Sequence, residues 1–135
     1  MPGYSNTPLA KKLGIQGGSR VFLANAPNDY LNLVAPLPAD VVFVSQVTIE
    51  TDIVHIFVTE KFQLERELRD VLAKIRPDGI VWVSWPKKSS RVPTDITEDV
   101  IRDVALPLGL VDIKVCAVDE VWSGLKLMLR KENRR

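Results

Sequence analysis

The chain is poor in the residues that most often announce chemistry. Cysteine occurs once, at Cys116, which excludes an internal disulfide and a cysteine metal cluster. Histidine occurs once, at His55, which excludes the usual two-histidine metal motifs. Neither sign of charge dominates: 18 Lys and Arg stand against 17 Asp and Glu, a formal net charge of +1. No global field therefore draws the whole molecule to nucleic acid or to a membrane surface. No apolar run nears the roughly 20 residues that a membrane-spanning helix needs. The first residues lack a basic start followed by a long apolar stretch, so no signal peptide is expected. These absences make the cytosol, bacterial or eukaryotic, the expected location. The Gly-x-x-x-x-Gly-Lys spacing of a phosphate-binding loop is missing, as are internal repeats, low-complexity segments and interdomain linkers.

What is present reads as one globular domain over residues 1–135, with 46% hydrophobic and 26% charged residues. That length supports a single core. Residues 1–6 are small and polar, residues 131–135 are charged, and both ends are expected to be flexible. Thr7-Pro8 opens a short helix over 8–13, with Thr7 as the cap, and Gly14 stops it. Strands are predicted over 21–24, 41–45 and 53–58, with a brief helix over 29–35 between the first two. The third strand is continuously apolar except for His55, as expected of a strand buried on both faces. Leu64, Leu68, Val71, Leu72 and Ile75 share one helical face, which predicts a helix over 59–75 capped by Thr59.

Residues 75–90 are the most informative stretch: Ile-Arg-Pro-Asp-Gly, then Ile-Val-Trp-Val-Ser-Trp, then Pro-Lys-Lys-Ser-Ser. They read as a helix stop, a buried strand over 80–85 and a polar loop. Asp95 and Glu98 have the spacing of a capping box, with Asp95 as cap, for a helix over 95–106. Alternating strands over 111–118 and 125–129 are joined by a predicted loop over 119–124, which suits an antiparallel pair. Strands alternating with helices imply a mostly parallel sheet of about six strands, covered on both faces. The fold class is therefore α/β: a single-domain Rossmann-like three-layer sandwich with a C-terminal antiparallel hairpin.

A helix ending in Arg76-Pro77-Asp78-Gly79, a strand, a helix, a strand and a returning antiparallel strand resembles the second half of a class I S-adenosylmethionine-dependent methyltransferase. The resemblance covers residues 52–130 and implies a methyltransferase-like fold. The first half departs from that family. Its glycine-rich loop after the first strand is replaced by Ala24-Asn25-Ala26-Pro27. The acidic residue that holds the cofactor ribose is replaced by Ser45-Gln46, and the Asn/Asp-Pro-Pro-Tyr position reads Val58-Thr59-Glu60. No cofactor is expected from these departures. Nearly the whole chain also resembles a group of short bacterial proteins of unknown function. The tracts that carry this likeness begin at Gly3-Tyr4-Ser5-Asn6-Thr7-Pro8, at Trp82-Val83-Ser84-Trp85-Pro86-Lys87-Lys88 and at Val115-Cys116-Ala117-Val118-Asp119-Glu120.

Ligands of open α/β sheets bind at the C-terminal ends of the strands. The candidate site therefore lies where Pro86-Lys87-Lys88-Ser89-Ser90 meets the hairpin of Asp119, Glu120 and Trp122. Lys87 and Lys88 would supply charge, Ser89 and Ser90 hydrogen bonds, and Trp85 and Trp122 the walls. The same loop also suits a merely solvated basic surface, and Asp119 and Glu120 a solvated acidic turn. His55 is expected to be packed and hydrogen-bonded, Cys116 to be a structural thiol. No catalytic or metal-binding residue is assigned. The preferred reading is a non-catalytic methyltransferase-like module that binds a small molecule or a protein. The alternatives are a small transferase with a non-standard cofactor loop, and a phosphate or anion binder using Lys87 and Lys88. An anionic small molecule or a protein is the expected partner. A membrane is not, and neither is nucleic acid, because Lys11-Lys12 and Arg134-Arg135 are too sparse for a basic stripe.

Overall fold

The computed structural model describes residues 7–134. Within them the chain forms α1 (Leu9–Leu13), β1 (Arg20–Ala24), α2 (Tyr30–Leu33), β2 (Val42–Val44) and β3 (Ile53–Phe57). It continues with α3 (Lys61–Leu72), β4 (Ile80–Pro86), α4 (Glu98–Ala105), β5 (Leu110–Ala117) and β6 (Trp122–Leu129). The six strands make one sheet in the order β2-β1-β3-β4-β6-β5. The first four are parallel neighbours. β6 runs antiparallel to both β4 and β5, so the hairpin folds back into the sheet and leaves β5 at the edge. The flexible arm expected at residues 1–6 lies outside the described residues. Lys131–Asn133 form a 3-10 turn, and Arg134 Nε donates to the Leu129 carbonyl at 2.9 Å.

Side-chain alternation divides each inner strand between two cores. Val54, Ile56, Val81, Val83, Trp85, Leu125 and Leu127 face α3 and α4, where they meet Leu64, Leu68, Val71, Ile101 and Val104. Val21, Ile53, Phe57 and Trp82 face the opposite way and pack with Ala10, Leu13, Tyr30 and Val34 of the α1–α2 side. Trp82 Nε1 donates to the Leu13 carbonyl at 2.9 Å, which pins the end of α1 to β4. Gly14 closes α1 at φ 87°, a left-handed turn that costs other residues strain.

All five residues of β3 are buried, His55 completely. Its Nδ1 lies 2.9 Å from the Tyr30 hydroxyl and its Nε2 lies 2.7 Å from Ser84 Oγ. Phe57 stacks on the ring, with centroids 4.3 Å apart. Burial lowers the His55 pKa to about 3, and burial also raises that of Tyr30. The imidazole is therefore neutral, and one ring nitrogen donates while the other accepts. Asp52 plays no part in this chain. It accepts from Arg20 N at 2.7 Å and from the Arg76 guanidinium at 2.7 Å. Partial burial pushes the Asp52 pKa up, but the Arg20 N–H and Arg76 outweigh it and hold the carboxyl below its usual range.

Several expected boundaries change. Pro8, not Thr7, precedes α1, and its carbonyl accepts from Lys11 N and Lys12 N, each at 3.1 Å. α3 starts at Lys61 with Glu60 in the cap position, so Thr59 is not the cap. Thr97, not Asp95, caps α4, accepting from Val100 N at 3.2 Å. Asp95 instead accepts from Lys61 N at 2.7 Å, so the acid is spent on the first turn of α3. The hairpin loop is shorter than 119–124, because Trp122, Ser123 and Gly124 already pair with Pro86, Trp85 and Ser84. The Asp119 carboxylate makes this tight turn possible: Oδ1 accepts from Val121 N at 2.8 Å and Trp122 N at 2.7 Å.

The His55 shift sets an acid limit on stability. Its folded-state pKa lies below the ordinary 6.5, so the unfolded chain takes up the extra proton first. The stabilisation is complete above pH 6.5 and is lost as pH falls toward 3, at up to about 1.4 kcal/mol per pH unit. Urea midpoints should drop between pH 6.5 and 4, and His55→Gln should flatten that slope; equal slopes would contradict this account. Gly124→Ala tests the packing beside the chain. A Cβ there would meet Ser84 Oγ and Trp82 Cε3, each at 3.3 Å. The expected loss is about 1–3 kcal/mol, read from urea unfolding.

Candidate functional site

The strand order reverses between β1 and β3, since the chain steps outward from β1 to β2 and the other way from β3 to β4. In open sheets that reversal opens a crevice at the strand C-termini. Here Asn25, directly after β1, has φ 60°. Its short amide tolerates the left-handed conformation that glycine usually supplies. Its Nδ2 donates to the Phe57 carbonyl at 3.3 Å, so the side chain ties the end of β1 to the end of β3. The Pro27 carbonyl then accepts from Tyr30 N at 3.0 Å and starts α2. After β2, Ser45, Gln46 and Val47 line a cleft of about 170 Å³ with Phe22 and with Glu67, Asp70, Val71 and Lys74 from α3 and the turn after it.

The loop after β4 meets the β5–β6 hairpin through the backbone: Lys87 N donates to the Val121 carbonyl at 2.6 Å. The side chains of this junction have different roles. Ser90 Oγ donates to the Lys87 carbonyl at 2.6 Å and accepts from Val92 N at 3.2 Å, which fixes the loop's own shape. The Asp119 carboxylate is occupied by the turn. Ser89 and Glu120 are exposed. Trp85 faces the α3–α4 core, whereas Trp122 lies on the other face of the sheet, edge-on to Phe57 at 5.0 Å. The two tryptophans expected to share a pocket are therefore separated by the sheet.

Trp85 and Lys88 do come together, in a cleft of about 290 Å³ whose other walls are Pro86, Thr94, Ile96, Thr97 and Glu98. The segment before α4 is stitched into place. Thr94 Oγ1 donates to the Thr59 carbonyl at 2.6 Å and accepts from Ile96 N at 3.0 Å. Glu98 is paired with Arg102, which also holds Asp99 and Asp112. The cleft thus offers an apolar wall, a lysine and a carboxylate that is already paired with Arg102. Sequence reasoning missed Thr94, Ile96, Thr97 and Glu98 as walls, and Asn25 as the crevice tie. An asparagine closing a strand is a signal for a left-handed turn, and it marks Asn25 in retrospect. Among the described residues, no three His, Cys, Asp or Glu side chains gather as a metal site, and no helix is long and apolar enough to cross a membrane.

No family model matches the chain, and no curated protein matches it in sequence. Solved structures do match in fold. An S-adenosylmethionine-dependent methyltransferase of Aquifex aeolicus superposes with a TM-score of 0.62 at 15% identity, covering 90% of this chain and 88% of its own. A protein of Sulfolobus solfataricus assigned to the type 11 methyltransferases gives 0.61 at 12% identity, with 94% and 92% covered. The fibrillarin pre-rRNA processing protein of Methanococcus jannaschii gives 0.58 at 10% identity, with 96% and 76% covered. The chain has a methyltransferase-like Rossmann fold, and the likeness extends through the first half as well as the second.

The hairpin turn is the part of this site most exposed to a single substitution. Asp119→Ala removes the Oδ1 that accepts both turn hydrogen bonds and should cost about 1–2 kcal/mol. Asp119→Asn keeps an acceptor oxygen and should recover most of that loss. Urea unfolding of the two variants checks the order.

Proposed function

We propose that the chain is a non-catalytic, methyltransferase-like module that binds a small anionic molecule in the cleft walled by Trp85 and Lys88. The observation that carries this reading is the Asn25 amide bonded across the strand-order reversal to the Phe57 carbonyl. A nucleoside-sized cofactor seated there needs close approach to bare backbone, and Asn25 and Pro27 put side chains in its way. Ser45 and Gln46 bring no carboxylate to the end of β2, and the acids of the neighbouring cleft, Glu67 and Asp70, stand on α3 beside Lys74. The residues present do not fit S-adenosylmethionine. The Lys88 cleft has the features a small ligand needs: an aromatic wall, an apolar floor and one cation for a phosphate or carboxylate.

One observation favours the transferase reading. Asn25 takes the left-handed turn that a glycine would take, so the loop retains that backbone path without the glycine. Calorimetry with S-adenosylmethionine separates the two readings. No measurable heat is expected, and binding at micromolar concentration would restore the transferase. A thermal-shift series with inorganic phosphate, nucleotides and small carboxylates tests the cleft itself, because a ligand of the native state raises the midpoint. At least one anion should raise it, and Lys88→Ala should abolish that rise; a rise that survives the substitution would remove the cleft from the account.

A further inference from the structure

The α1–α2 side of the sheet is not covered evenly. α1 ends beside Trp82, and the strands beyond it present Trp122, Gly124, Lys126 and Met128 from β6 and Val111, Lys114 and Cys116 from β5. Val111, Cys116, Trp122, Lys126 and Met128 are only half-buried, and Lys114 is exposed. On the opposite side of the same strands, Leu110, Leu125 and Leu127 are buried in the α3–α4 core, and Val115 at the sheet edge is exposed. Among the described residues, Cys116 and Trp122 pack against the α1–α2 core, while Val111, Lys114, Lys126 and Met128 farther out are left partly open to solvent.

Three cations converge on it. Lys114 stands directly across from Lys126 in the β5–β6 register. Lys12, at the end of α1, and Lys114 both act on the Cys116 thiol: burial raises its pKa and the two lysines pull it down. Burial lowers the Lys126 pKa, and the charge of Lys114 lowers it further. Like charges directly opposite on neighbouring strands are unfavourable. None of the three lysines has an acidic partner among the described residues. Residues 1–6, Met-Pro-Gly-Tyr-Ser-Asn, carry no acidic side chain either.

We propose that this face docks an acidic, amphipathic helical segment of a partner protein, with carboxylates on Lys12, Lys114 and Lys126 and apolar side chains on Val111, Met128 and Trp122. The charge arrangement selects the occupant. The chain's net charge is only +1, so it has no long-range field of the kind that gathers nucleic acid. The three lysines, without an acidic partner among the described residues, act over a short range, and they are interleaved with half-buried apolar groups that a phosphate backbone would leave unused. An amphipathic helix uses both, in the way that α1 covers the strand next to it. This surface lies on the opposite side of the sheet from the Lys88 cleft, so it stands independently of the ligand reading above.

The test uses the full chain and a fluorescein-labelled designed peptide of about 15 residues, long enough to form helix when bound. Glu and Leu share one face of the peptide. Fluorescence anisotropy at low salt should give saturable binding that weakens as ionic strength rises. Lys12→Glu/Lys114→Glu/Lys126→Glu should weaken it at least about tenfold, the change that 1.4 kcal/mol produces. Replacing the peptide leucines by serine should weaken it several-fold. If the charge-reversed variant fails to fold, Lys12→Gln/Lys114→Gln/Lys126→Gln gives the same readout with milder change. Absence of saturable binding, binding indifferent to these lysines, or tighter binding of a single-stranded oligonucleotide would each overturn the proposal.

Discussion

A histidine in the middle of a strand buried on both faces is the constraint around which this protein is arranged. β3 lies between β1 and β4 with no solvent on either side. Every polar atom of His55 must therefore find a partner inside the molecule. Tyr30 and Ser84 supply them from α2 and β4. A single side chain thus ties a helix of the α1–α2 layer to two central strands. A partner left unmatched in such a place costs about 1–3 kcal/mol. The Tyr30 ring also meets Phe43 and Phe57 edge-on, at 6.4 and 5.8 Å. A polar requirement and an apolar one are met by the same residue, which is why a helix of only four residues suffices at α2.

The two sides of the sheet are built to different standards. Facing α3 and α4, large aliphatic side chains interlock from β3 across to β6, and Arg102 fastens α4 to β5 through Asp112. Among the described residues, the other side carries two short helices, α1 and α2, of five and four residues. The loops at the strand C-termini bond mostly to one another: Asn25 to Phe57, Lys87 to Val121, Thr94 to Thr59. The Lys88 cleft lies at the same end of the sheet, between the loop after β4 and the segment that precedes α4.

Periodicity made much of this legible in advance. The stripe of Leu64, Leu68 and Val71 located α3 and its buried face. Simple alternation placed Trp82 and Trp85 on opposite faces. The apolar neighbours of His55 forecast its burial. What escaped was set by competition between equivalent local partners. Asp95 and Thr97 are both good caps, and a contact with Lys61, 34 residues away in sequence, decided between them. The position of Trp122 depended on how tightly Asp119 closes the hairpin, which no spacing rule reports. All parts of the expected cluster lie at one end of the sheet. Its side chains nevertheless point to two faces, and only the turn geometry separates them.

The outer edge of the sheet carries one further consequence. β5 shifts register between Asp112 and Lys114, where Asp112 pairs with Leu127 but Lys114 already pairs with Lys126. Ile113 and Val115 are exposed on that edge, and an unprotected edge of this kind invites strand addition between molecules. The extra residue breaks the ladder partway along, so an incoming straight strand would be in step with one half and out of step with the other. At the opposite edge β2 offers three residues and little to pair with. The sheet is therefore terminated on both sides by geometry, and crowding many copies together gives them no continuous template on which to grow.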